Sequence, residues 1–223
     1  MRAFRFPLGT VDFLTELRAH NEKSWFDAHR GRYEADYLEP AKAFVEAIGT
    51  ELGDLVPGIH AEPWLRGSIF RINRDVRFSR DKRPYKDHLD FWFWEGERAT
   101  AVGGLFLRVS PDGILVGAGA HGFDSRQLNS YRNAVTAAAP GAELAAVVSD
   151  LEAAGYEIGG QTFKRVPRGF TATEATERLL RHSALYVHSE LPADAASSGG
   201  FIDAVLADWR TFLGLYTWLT GHV

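Results

Sequence analysis

The chain contains no cysteine. That absence excludes a disulfide framework, thiolate-ligated zinc, iron–sulfur clusters and cysteine nucleophiles, and it suits a reducing compartment. No run of about 18 apolar residues occurs, the length a membrane-spanning helix requires. The opening stretch Met1–Gly9 has no apolar segment long enough for a signal peptide. A cytoplasmic location without a membrane partner is therefore expected. There is no internal repeat, and the Ser-rich Ala195–Gly200 is too short to divide domains. A single domain over residues 1–223 is expected, large enough to build a core without staples.

What is present is ordinary for a globular protein: 45% hydrophobic and 13% aromatic residues, with a net charge of −4. That mild acidity ranks a nucleic-acid partner below a compact ligand. Apolar spacing at Val11, Leu14 and Leu17 predicts a first helix capped by Thr10, and Ser24 is placed to cap a second. Pro40 should break or restart that helix, with Ala41 to Leu52 continuing at helical spacing. From Arg66 the period falls to 2, predicting strands at Ser68–Val76, Leu89–Trp94, Gly104–Val109 and Gly113–Gly117. Ser110–Gly113 reads as a hairpin turn. Helical patterns return at Ser125–Ala138, Ala142–Ala154, Thr173–His182 and Phe201–Leu219. The expected class is α+β, a central, mainly antiparallel sheet flanked by N-terminal and C-terminal helices.

Charge is distributed unevenly. Arg66–His88 carries eight basic and three acidic residues, 8 − 3 = +5, whereas the remainder is 17 − 26 = −9. Like charges so concentrated call for an anion or for internal carboxylates. On a strand, Phe70, Ile72, Val76 and Phe78 would share one face, and Arg71, Asn73, Asp75 and Arg77 the other. Arg74 would fall on the apolar side, where it needs an acidic partner.

The string Arg71–Lys86 supplies an Arg-x-x-Arg-Asp-x-Arg-Phe motif at Arg71, Arg74, Asp75, Arg77 and Phe78. Asp81, Lys82 and Tyr85 follow it. Together with Phe13-Leu14, Asn21, Trp25-Phe26, Tyr33, Pro40 and Lys164–Phe170, this resembles the bacterial family known as domain of unknown function (DUF) 2461. The sequence departs from that pattern around Ala118–Phe123. The resemblance implies a bacterial protein of this length and assigns no activity.

The residues themselves favour a small phosphorylated or carboxylated ligand held by Arg71, Arg74, Arg77 and Lys82. A buried Asp75 would orient the arginines, and Tyr85 would border the pocket. Tyr85 and His88 are candidates for proton transfer, cationic neighbours favouring a lowered tyrosine pKa, although Tyr85 after Pro84 reads more readily as a packing residue with its hydroxyl at the surface. The competing readings are an Arg–Asp network that only stabilises the fold or serves a partner protein, and a nucleic-acid surface. Lys164, Arg165 and Arg168 form a smaller basic group that would complete the first cluster if it folds back. Gly117–Gly122 matches Gly-x-Gly-x-x-Gly, but its hairpin context reads as a flexible strand exit, not a dinucleotide site. The histidines follow no metal-ligand template, and no metal or other cofactor is expected. No reaction is assigned by these patterns.

Overall fold

The computed structural model describes residues 4–223. Helices α1 (Leu8–Ala19), α2 (Lys23–Ala28) and α3 (Arg30–Arg32) lead into a π-helix at Tyr33–Leu38 and then α4 (Glu39–Leu55). Strands β1 (Ile59–His60), β2 (Leu89–Glu95), β3 (Gly104–Ser110) and β4 (Gly113–Ala120) follow. Helices α5 (Ser125–Thr136) and α6 (Ala138–Ala153) precede β5 (Ile158–Gln161), β6 (His182–Leu191) and α7 (Phe201–His222). The strands form one antiparallel sheet in the order β1-β2-β3-β4-β6-β5, and the architecture is α+β. Among the described residues, no single helix is long and apolar enough to cross a membrane.

The chain groups into two compact units. One comprises Met1–Phe93, Phe106–Val116 and Glu190–Leu206; the other comprises Trp94–Leu105, Gly117–Ser189 and Ala207–Val223. The first has an aromatic centre in which Phe44 meets Phe91 at 4.8 Å and Phe6 at 5.5 Å between ring centroids. In the second, the buried indoles of Trp209 and Trp218 donate to the carbonyls of Gly117 and Pro140. The Tyr131 hydroxyl donates to the Leu179 carbonyl at 2.8 Å. These three rings thus bury their apolar area without stranding their polar atoms.

Pro40 marks the expected restart: it lies in the first turn of α4, directly after the π-helix. In an α-helix an N–H at position 40 would serve the Asp36 carbonyl, and proline has none. Pairing shifts by one residue, with Glu39 N–H reaching Glu34 O. Thr10 is not a helix cap, since α1 starts at Leu8 with Pro7 as its N-cap residue. Its fully buried hydroxyl instead donates to the Asp36 carbonyl at 2.6 Å. Ser24 does not cap α2 either, because that helix already begins at Lys23.

Ser68–Val76 is not a strand. Local turns take its first backbone donors, Ser68 N–H to Glu62 O and Ile69 N–H to Trp64 O. Beyond them only isolated bridges form, Ile69 with Phe91 and Asn73 with Tyr85. The apolar alternation fails with it: Ile69 and Ile72 are buried, whereas Phe78 is 95% exposed. The predicted Thr173–His182 helix is reduced to turns and a short 3-10 segment at Leu179–Arg181.

The glycine run from Gly117 belongs to β4 and is not a flexible exit. Gly119 has φ +122°, and a Cβ there would stand 2.3 Å from the Leu185 carbonyl of β6. Close strand approach explains the lack of side chains there.

The Thr10 bond is directly testable. Thr10→Val keeps the shape but leaves the Asp36 carbonyl without that donor, so urea unfolding should show a loss of about 1–3 kcal/mol. Thr10→Ser should retain most of the stability. Equal losses for both variants would show that the hydroxyl contributes nothing.

Candidate functional site

Asp90, on β2, is only 4% exposed and is the most consequential ionised group in the first unit. Arg108 on β3 approaches it with two nitrogens, Nε to Oδ1 at 2.7 Å and Nη2 to Oδ2 at 3.3 Å. Lys86 Nζ and His88 Nε2 both reach Oδ2 at 3.2 Å. Burial alone would raise this carboxyl, but hydrogen bonds from His88 and Arg108 outweigh it and hold it well below the usual carboxylate range.

The network extends outward with alternating sign. His88 Nδ1 meets Asp87 Oδ1 at 3.1 Å, and Asp87 Oδ2 accepts from Arg18 Nε at 2.8 Å. Arg18 then forms a two-pronged pair with Asp112 at 2.7 and 2.6 Å. Because both His88 nitrogens face carboxylates, the ring donates to both only as imidazolium. Arg18, the segment 86–90, Arg108 and the hairpin turn are thereby fastened together.

The inner end of this network forms one wall of an open cleft of about 360 Å³. Lys86 and His88 stand on that wall, with Phe70, Arg71, Asn73, Arg74 and Asp75 completing the lining. Lys86 is further fixed by the Phe70 ring, 4.9 Å from its ammonium. Arg71 differs from the other cations: among the described residues its guanidinium has no hydrogen bond or ion pair. Its head is exposed.

The adjoining loop uses its own arginines internally. Asp75 accepts from the Arg77 backbone and from Arg77 Nε and Nη2, at 3.2, 2.9 and 2.6 Å. Asp81 repeats the bracket on Arg83, with its backbone N at 3.0 Å and Nη2 at 2.8 Å. Arg74 Nη1 closes the loop through Asp81 Oδ2 at 2.8 Å, and Lys82 Nζ donates to the Val76 carbonyl at 2.9 Å. The arginine hydrogen bonds hold Asp75 and Asp81 below their usual range.

The chain matches the family model described as "Conserved hypothetical protein (DUF2461)" over residues 9–218. It belongs to that family. No curated protein and no solved structure gives a match. The family carries no assigned activity, so function must be argued from the geometry of this DUF2461 member.

That geometry divides the residues singled out in the sequence. Arg71, Arg74 and Asp75 meet in the cleft, whereas Arg77 and Lys82 do not line it. Asp75 is half-exposed, not buried; it is hydrogen-bonded to Arg77, and Arg71 adds a weaker charge attraction. Arg74 has its acidic partner in Asp81, but at the edge of the loop and not beneath an apolar face. Tyr85 points elsewhere, its ring stacked on Phe26 at 4.2 Å. Burial raises its pKa, opposite to the expected lowering, because desolvation outweighs Lys23 and Arg30.

Sequence reasoning missed Asn73 and Lys86 as cleft residues, and it missed Asp90 and Arg108 as the support behind them. The alternation of His88 with Asp90 was the visible signal for half of that support. Lys164, Arg165 and Arg168 belong to the second unit, where Arg132 lies between Phe163 and Phe170 at 5.1 and 5.7 Å.

Removing the Asp90 charge should be severe. Asp90→Asn leaves three cations around a neutral buried amide, and denaturant unfolding should show a loss of about 3–5 kcal/mol. Asp87 and Asp90 both have folded pKa values below their unfolded ones. Their stabilisation is complete above about pH 4 and is lost as pH falls through the folded values. Wild-type stability should therefore decline below about pH 4, and Asp90→Asn should flatten that decline. A variant as stable as wild type at pH 7 would remove Asp90 from its central place.

Proposed function

We propose that this protein binds a small oxyanion, a phosphate or carboxylate group of a metabolite, in the cleft formed by Arg71, Lys86, His88 and Asn73. The observation that carries this reading is the Arg71 guanidinium, without a hydrogen bond or ion pair among the described residues, beside Lys86 and His88, whose positions are fixed by Asp90 and Asp87. Asp90 and Asp87 orient Lys86 and His88 but lie on the far side of them. Arg77 occupies Asp75, so the one acid in the lining is already engaged. Arg74, held by Asp81, adds positive potential at the rim. An arginine fork with a lysine point charge suits an oxyanion better than a neutral ligand. The lack of cysteine agrees with a cytoplasmic setting, which belongs to the same proposal.

Calorimetric titration with inorganic phosphate at low ionic strength tests this directly. Arg71→Ala should weaken binding by about tenfold or more, the loss of one charge-assisted contact of roughly 1.5–3 kcal/mol. Arg80→Ala removes the same charge from an exposed loop position outside the cleft, and it should leave the affinity nearly unchanged. Equal weakening by both variants would indicate diffuse charge attraction, not a site. No phosphate binding by the folded wild type would favour a purely structural network.

A further inference from the structure

A second cavity of about 480 Å³ opens between α2, the π-helix and the segment around Ile72 and Tyr85. Its floor is aromatic: Phe26 and Tyr85 stack with 20° between their planes, and Tyr33 lies 5.1 Å from Phe26. The rim is polar and incompletely paired. Arg30 sits over the Phe26 ring at 5.8 Å without a carboxylate partner. Glu34, one turn later, has no ion pair either, although their spacing would allow one. The Tyr33 and Tyr85 hydroxyls make no hydrogen bond within the described protein. Tyr33, Glu34 and Leu38 all come from the π-helix, an element often found at functional sites.

Asn73 lines this cavity and the Arg71 cleft alike. Its side-chain amide, which makes no hydrogen bond among the described residues, offers a donor and an acceptor. An apolar base of aromatic edges, with unpaired donors and acceptors around it, suits a saturated ring with C–H faces and hydroxyl edges. A nucleobase would gain more from an apolar slot closed on both sides, which is not what Arg30, Glu34 and Asn73 provide.

We propose that the cavity holds the ring of a sugar phosphate whose phosphoryl group occupies the Arg71 cleft, with Asn73 contacting both parts. The proposal rests on the anion-cleft reading and adds a ligand class to it. The exposed edges of Phe26, Tyr33 and Tyr85 supply the apolar base. Arg30 donates to ring hydroxyls, and Glu34 accepts from them.

Calorimetry with inorganic phosphate, glucose, glucose 6-phosphate, mannose 6-phosphate and ribose 5-phosphate separates the two claims. At least one sugar phosphate should bind about tenfold or more tightly than inorganic phosphate. The exposed double variant Arg30→Ala/Glu34→Gln, with folding checked by circular dichroism, should abolish that advantage and leave the phosphate affinity unchanged. Arg71→Ala should weaken every phosphorylated probe. If no sugar phosphate exceeds inorganic phosphate, the ring site is overturned and the anion cleft stands. If no phosphorylated probe binds, the anion cleft itself fails. Unphosphorylated glucose binding as tightly as its phosphate would overturn the bridging role given to Asn73.

Discussion

A buried carboxylate is the constraint on which the cleft depends. Taking Asp90 out of water costs several kcal/mol, a cost that only close cations and hydrogen bonds can offset. Arg108, His88 and Lys86 supply them. None of the three is free to relocate, because each departure would leave part of the buried charge uncompensated. Two of these cations also form a wall of the cleft. The requirement to neutralise Asp90 therefore fixes where Lys86 and His88 stand, a preorganisation that would lower the entropic cost of the proposed binding.

The loop ahead of that wall separates structural cations from available ones. Arg77 and Arg83 are locked by Asp-x-Arg brackets of the same form, and Lys82 is tied to a carbonyl. These contacts are largely exposed, so each is worth little alone. Their joint effect is geometric: they close the loop and leave Arg71 and Arg80 as its unpaired arginines. Of those two, only Arg71 reaches the cleft. Counting arginines in Arg66–His88 thus overstates the binding capacity, because most of that charge is spent holding the segment in place.

The sequence was most legible where periodicity had a single cause. Phe201, Val205, Trp209, Phe212 and Leu219 recur at helical spacing because one face of α7 is buried, and the hairpin at Ser110–Gly113 follows from turn chemistry. It was least legible where tertiary contacts overrode the local pattern. The alternation after Arg66 looked like a strand, yet local turns took the backbone donors and left Phe78 in solvent. Strand β6 went unseen because it enters the sheet beside β4 from far along the chain. In the site, composition identified the basic segment but not the division of labour within it. Arg108 lies outside that segment, and nothing in its local sequence marks it as the partner of a buried carboxylate. Thr10 shows the same limit, since the carbonyl its hydroxyl serves lies 26 residues away in sequence.

The central claim is that Arg71 is the available cation while its neighbours are already committed. Arginine Nε–H resonances followed by NMR during titration with inorganic phosphate report on each guanidinium separately. The Arg71 signal should shift saturably, with those of Arg77 and Arg83 nearly stationary because Asp75 and Asp81 already hold them. A stationary Arg71, or uniform small shifts of all arginines that vanish with added salt, would contradict it.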